Sequence, residues 1–155
     1  MTLIPVHHNI SSPVTSWGEI KKIAYELRDL ASGTFSGEHK ECYALHHAQV
    51  SDAPLNFFCL SKKGEEILKF PSWCIINPEI VRGSHPFRPS EGCMSWPHRK
   101  MQKVDRMRIV LVHFKYPVFG YFGTTLQEFT GELFELEAHV FQHETDHGRG
   151  KTIHD

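Results

Sequence analysis

Near the C-terminus two histidines stand four residues apart with a glutamate between them, in Gln142-His143-Glu144-Thr145-Asp146-His147. On a helix, positions i and i+4 lie one above the other on the same face. His143 and His147 can then offer two imidazole nitrogens to one metal ion. Glu144 falls beside that ion, in the place of a general base for a metal-bound water. The same residues also suit an exposed polar helix end in a chain with 12 histidines, so the rest of the ligand set decides.

A catalytic zinc-type site takes three protein ligands and keeps one position open. The eight residues after His147 leave no room for a second helix carrying a glutamate. Gly150 fits the glycine of a His-Glu-x-x-His-x-x-Gly-x-x-His pattern, but Ile153 takes its last position and His154 comes one residue late. The third ligand is therefore expected upstream. Cys93, in Glu91-Gly92-Cys93-Met94-Ser95, is the best candidate: a thiolate binds divalent metals strongly, and Gly92 lets the backbone come close. Cys93 reads equally as a small buried thiol in a reduced core.

Together these two segments resemble the second and third motifs of the peptide deformylase family, Glu-Gly-Cys-x-Ser and Gln-His-Glu-x-Asp-His, both met in full and in order. Ile75-Ile76-Asn77-Pro78-Glu79 resembles the strand that leads to the cysteine, and Trp96-Pro97 the pair after it. Cys42-Tyr43-Ala44-Leu45-His46-His47-Ala48-Gln49 stands where the family has Gly-x-Gly-Leu-Ala-Ala-x-Gln. Leu45 and Gln49 match, whereas Cys42 and Ala44 replace the glycines and His46 and His47 the alanines, as a helix start with two partly exposed imidazoles. The chain also has Gly148 where the family usually has a hydrophobic residue, and no further C-terminal element. In this it is similar to the short deformylases of bacterial viruses.

The resemblance implies removal of the formyl group from the N-terminal formylmethionine of new polypeptides. Cys93, His143 and His147 would hold one divalent metal, typically Fe²⁺, with zinc, nickel or cobalt able to substitute. Glu144 would take a proton from the metal-bound water and pass it to the leaving amine, and the Gln49 side chain and the Met94 backbone N–H would donate to the oxyanion. The methionine side chain would meet Tyr43, Leu136, His139 and Val140, with His139 at the rim, and Ala44, Leu45, Glu91 and Gly92 would be further substrate-binding residues. Glu91 matches a position that pairs with an arginine, for which Lys103 is the counterpart by flanking alignment. Asp146 would buttress the helix end or a ligand loop. The altered first motif keeps two alternatives open: a metallo-amidase or peptidase on other blocked peptides, and an inactive metal-binding interaction module.

The bulk sequence sets outer bounds. A chain of 155 residues suits one domain spanning 1–155. Lys plus Arg is 17 against 18 for Asp plus Glu, so no charge excess points to nucleic acid. No apolar run approaches a membrane span, and the first residues do not form a signal segment. Cys42, Cys59, Cys74 and Cys93 are scattered, as reduced thiols in a cytoplasm would be. That compartment, a bacterial or virus-infected bacterial cell, and a monomer acting on nascent chains at the ribosome complete the expected setting.

The elements that must position these residues follow from periodicity. Residues 1–15 read as loop. Ser16-Trp17-Gly18-Glu19 reads as a capping box, and Ile20, Ile23, Ala24, Leu27 and Ala31 recur at helical spacing, ending near Ser32-Gly33. Residues 55–60, 66–70 and 73–76 read as short strands, with Lys62-Lys63-Gly64 as a turn and 79–83 extending the sheet. Residues 84–90 read as a loop with two prolines. Residues 106–114 form the strongest strand, and 116–128 an insertion or extended hairpin. Thr130 is placed as cap of a last helix whose stripe, Leu133, Leu136 and Val140, runs into the ligands. The expected fold is α+β: antiparallel or mixed sheets around a central metal-binding C-terminal helix, with an N-terminal helix.

Overall fold

The computed structural model describes residues 1–33, 42–92 and 101–154. Residues 34–41, a polar stretch that reads as a loop in the sequence, lie outside the described residues, together with Cys93, Met94 and the Trp96-Pro97 pair.

Helix α1 (Trp17–Ser32) forms where the periodicity places it. Ser16 caps it, its Oγ accepting from Glu19 N at 3.3 Å, and Gly33 ends it. Trp17, Ile20, Ala24, Leu27 and Ala31 form its buried face, three and four residues apart.

That face covers an antiparallel sheet of five strands in the order β1 (Ala44–His46), β2 (Phe57–Leu60), β3 (Cys74–Phe87), β6 (Arg106–Gly120) and β7 (Gly123–Phe134). The excursion between β3 and β6 carries a two-stranded ribbon, β4 (Ser90–Glu91) and β5 (Gln102–Lys103). Helix α3 (Glu135–Gly148) packs on the sheet and on the short 3₁₀ turn His47–Gln49. Between helix and sheet lies an aromatic cluster. Phe114 meets Phe129 at 4.9 Å and Phe141 at 5.8 Å between ring centroids, and Phe141 meets Phe58 at 5.9 Å. Phe58, Phe114 and Phe141 are fully buried, so each fixes the depth of α3.

Four expected elements differ. Residues 62–67 form a helix, α2 (Lys62–Ile67), rather than a turn and a strand. Ser61 caps it, its Oγ accepting from Gly64 N at 2.9 Å. Gly64 is there for close approach and not for a turn, because a Cβ on it would lie 2.1 Å from the Tyr43 carbonyl oxygen. Gly64→Ala in an open helix would gain about 1 kcal/mol. Here the clash reverses the sign, and a loss of about 1–3 kcal/mol is expected in urea denaturation.

The expected proline loop over 84–90 is also largely strand. β3 runs to Phe87, with Pro86 opposite Met107 and Phe87 opposite Arg106. The short β2 leaves this end of β3 with one ladder, and an edge accommodates a proline. The expected hairpin over 116–128 is real: β6 and β7 pair from Ile109 opposite Phe134 out to Gly120 opposite Gly123. Phe119 packs edge-on against Trp17 of α1 at 5.6 Å. Thr130 is no helix cap. It lies in β7, its hydroxyl 2.8 Å from His113 Nδ1. β7 passes straight into α3 through Glu135 at φ 51°, with no side-chain cap.

Asn77, in the expected Ile-Asn-Pro strand, sits at φ 51° where the β3 register shifts. Its side chain accepts from Val14 N and donates to Val14 O, both at 2.8 Å. An asparagine tolerates this left-handed backbone, and here it ties the N-terminal segment to the bulge.

Candidate active site

α3 exposes neither of its two expected ligands to bulk solvent. His147 is fully buried and His143 half-buried, because the stripe of Ala138, Phe141 and Thr145 drives this helix into the sheet. Gln142 pins the helix to β6: its Oε1 accepts from Met107 N at 2.9 Å and its Nε2 donates to Met107 O at 2.8 Å.

The ring nitrogens of the two histidines have fixed roles. His143 Nδ1 lies 2.7 Å from Glu91 Oε1, and His147 Nδ1 lies 2.9 Å from the Lys151 carbonyl oxygen. A carboxylate and a carbonyl only accept, so both Nδ1 atoms carry the hydrogen. His147 is held neutral by burial, which lowers its pKa well below the ordinary value. Its Nε2 therefore presents a lone pair, aimed at His143 Nε2 only 3.1 Å away. Two ring nitrogens converge at that distance only with a positive charge between or beside them, either a proton or a metal cation.

Glu144 completes the group: one ligand atom from each of His143, Glu144 and His147 lies within 4.8 Å of the others. Burial pushes the Glu144 carboxyl up to about 8, and its Oε2 is buried with no hydrogen-bond partner among the described residues. An orphaned buried carboxylate oxygen beside two convergent imidazoles fits a divalent cation. It also gives Glu144 a proton affinity suited to acid–base work near neutral pH.

Glu91 is the anchor beneath this group. It is 5% exposed and accepts from four donors. Arg106 Nε and Nη2 bind its two oxygens at 2.7 and 2.8 Å, His143 Nδ1 binds Oε1, and His139 Nε2 binds Oε2 at 2.5 Å. Burial alone would raise its pKa, but the hydrogen bonds from His139, His143 and Arg106 hold the carboxyl well below the usual carboxylate range. Arg106 Nη1 continues to Asp146 Oδ2 at 2.7 Å. The expected buttress at Asp146 thus works through Arg106.

Arg106 was not singled out in the sequence. Lys103, the expected partner of Glu91, is exposed on β5, and the cation belongs three residues later, at the first position of β6. The available signal was that an arginine can bind both carboxylate oxygens at once while a lysine is a point charge. His139, expected at the rim, is half-buried against the Phe87 ring at 6.0 Å and donates to Glu91.

The altered first motif folds inward. Ala44 and Leu45 are buried in β1 and Tyr43 is half-buried. His46 and His47 are both buried, not partly exposed as expected. His47 Nδ1 accepts from Leu55 N at 2.9 Å and its ring stacks on Phe57. Gln49 is 1% exposed, and its Oε1 accepts from His46 N at 2.9 Å. With the oxygen so engaged, the Nε2 end of this amide is the one turned to donate elsewhere. On α3, Leu136 and Val140 pack at the edge of the core.

A buried His-Glu-x-x-His helix, backed by an arginine-clamped glutamate and laid against an antiparallel sheet, defines a class of α+β proteins with a metal-competent, acid–base-equipped centre. The sequence model of the polypeptide deformylase family matches residues 5–155, and the chain belongs to that family. It is 41% identical over 80 residues to peptide deformylase 1 of Shewanella oneidensis, a stretch covering 52% of this chain and 43% of that relative. The matched stretch thus spans under half the length of that relative. Among solved structures, the peptide deformylase of Thermotoga maritima superposes with a TM-score of 0.75 at 25% identity, covering 99% of this chain and 95% of that one. The deformylase of the Vibrio parahaemolyticus bacteriophage VP16T, solved with actinonin, has a TM-score of 0.69 at 24% identity, over 98% of this chain and 99% of that one.

Proposed function

We propose that this protein, as a single domain over 1–155, removes the formyl group from N-formylmethionyl peptides. The observation that carries the reading is the convergence of His143 Nε2 and His147 Nε2 at 3.1 Å beside the buried, unpartnered Oε2 of Glu144. Family membership supports the same reaction.

His143 and His147, joined by Cys93 from the Glu-Gly-Cys motif, would hold one divalent cation, Fe²⁺ in the first instance, with zinc, nickel or cobalt as substitutes. Such a cation supplies Lewis acidity and brings the pKa of a water toward neutrality. The chain's own groups do the rest. Glu144 takes the proton of the attacking water and returns it to the departing amine. The Gln49 amide and the Met94 N–H donate to the carbonyl oxygen as it gains charge. Glu91 keeps the hydrogen of His143 on Nδ1, which leaves Nε2 as the ligand atom. Tyr43, Leu136, His139 and Val140 receive the first side chain of the peptide, and Ala44, Leu45, Glu91 and Gly92 lie along the substrate. The setting that goes with this chemistry is the cytoplasm of a bacterial or virus-infected cell, with the protein acting as a monomer on nascent chains.

The test is hydrolysis of formyl-Met-Ala by anaerobically purified protein, with metal per chain measured on the same sample. Turnover is expected to vanish on chelation, return with one equivalent of Fe²⁺ or Co²⁺, and be lost with the metal in Cys93→Ala. One bound metal per chain with no turnover of formyl-Met-Ala, but turnover of acetyl-Met-Ala, would instead favour an amidase on other blocked peptides.

A further inference from the structure

Of the buried histidines, His46 touches two parts of the site without being a ligand. Its backbone N–H holds Gln49 Oε1 at 2.9 Å, and its ring Nδ1 accepts from Ala48 N–H at 3.0 Å. With Nδ1 accepting, Nε2 carries the hydrogen and donates to Asn56 Oδ1 at 3.1 Å. The ring is fully buried and stays neutral, burial lowering its pKa to about 3. On its far side it abuts the residue after His147: a Cβ on Gly148 would lie 3.1 Å from His46 Nε2 and 2.7 Å from Asn56 Oδ1. The imidazole is thus wedged between α3 and the 47–49 turn.

That turn is anchored at its first residue, where His47 Nδ1 accepts from Leu55 N at 2.9 Å and the ring stacks on Phe57, but its middle N–H depends on His46. It is three residues long, and one internal backbone bond, Val50 N to His47 O at 3.1 Å, closes it. Ile4 N docks on the Gln49 carbonyl at 2.7 Å. Ala48 is 1% exposed, so without His46 Nδ1 its N–H would be buried and unpaired. The turn would have to rotate to satisfy that group, and Gln49 would rotate with it.

We propose that His46 is a positioning residue whose Nδ1 cap on the 47–49 turn aims the Gln49 amide at the reacting carbonyl, with Asn56 fixing the ring's tautomer. This rests on the deformylase reading and on the donor role of Gln49. The ring's two ends can be separated by substitution. In His46→Asn the side-chain oxygen falls near the place of Nδ1 and keeps the cap. In His46→Gln the amide reaches toward the place of Nε2 and keeps the Asn56 bond, but the cap is lost.

The experiment compares wild type, Gln49→Ala, His46→Asn and His46→Gln, each full-length and metal-loaded, by kcat and KM on formyl-Met-Ala. It also records the ¹⁵N-edited resonances of the Gln49 side-chain amide, assigned by their absence in Gln49→Ala. His46→Gln is expected to lose roughly 10²-fold in kcat with KM held and the Gln49 amide pair shifted, while His46→Asn keeps both near wild type. Equal losses in the two His46 variants would reduce the ring to packing and overturn the proposal, as would an unmoved Gln49 resonance in His46→Gln. Full turnover in Gln49→Ala would remove the donor role on which it stands. A wild type inactive on formyl-Met-Ala would count against the deformylase reading, and the Gln49 resonances would still decide the positioning.

Discussion

Glu144→Gln is expected to lower kcat on formyl-Met-Ala by about 10²–10⁴, the usual contribution of a positioned acid–base group, while metal per chain stays unchanged. The glutamine keeps the shape and burial of the side chain but can neither take nor return a proton. The same substitution has a signature in the metal-free protein. Burial raises the Glu144 carboxyl from an ordinary 4.5 to about 8, so the folded state binds this proton more tightly than the unfolded chain. The stabilisation is complete below pH 4.5 and is lost as pH rises through about 8. Between pH 5 and pH 9 the wild type should lose up to about 4 kcal/mol more than Glu144→Gln. Urea denaturation of both metal-free proteins at the two pH values reads this difference. A variant with wild-type turnover would remove Glu144 from the mechanism, and equal pH dependence would show that Glu144 is not the titrating group.

Arg106→Met carries the other large effect. Arg106 and Glu91 are both nearly inaccessible, with side chains 6% and 4% exposed. Removing the guanidinium leaves a buried carboxylate with only two imidazoles and strips Asp146 of its partner. Breaking a buried pair from one side costs about 3–5 kcal/mol, expected as a lower urea midpoint. Because Glu91 orients His143, divalent metal affinity should fall by about 10–100-fold as well, read by competition with a chromophoric chelator. Lys103→Met is the control, expected within about 0.5 kcal/mol of wild type as an exposed substitution. If Lys103→Met were the damaging change, the clamp would belong to Lys103 after all.

The contrast between Arg106 and Lys103 shows where sequence reading stops. The helical spacing of His143 and His147 and the intervening Glu144 are local facts, set by 3.6 residues per turn. They were legible without coordinates. So was α1, whose Ser16 cap and apolar stripe lie within one continuous segment. The family was legible from two short motifs because chemistry allows few residue types at those positions.

Tertiary structure decided what depends on contacts between distant segments. Gly64 is a turn signal in sequence, yet the nearby Tyr43 carbonyl makes it a packing residue inside a helix. Pro86 suggests a loop, yet the reach of β6 past the short β2 turns it into an edge-strand residue. Two adjacent histidines suggest solvent, yet β2 and the Gly148 backbone bury them and give His46 its place beside Gln49. Which cation holds Glu91 depends on the strand register that brings Arg106, rather than Lys103, to the base of α3. The spacing of His143, Glu144 and His147 follows from helix geometry alone, whereas their protonation and orientation follow from burial and from partners such as Glu91, 52 residues from His143 in the chain.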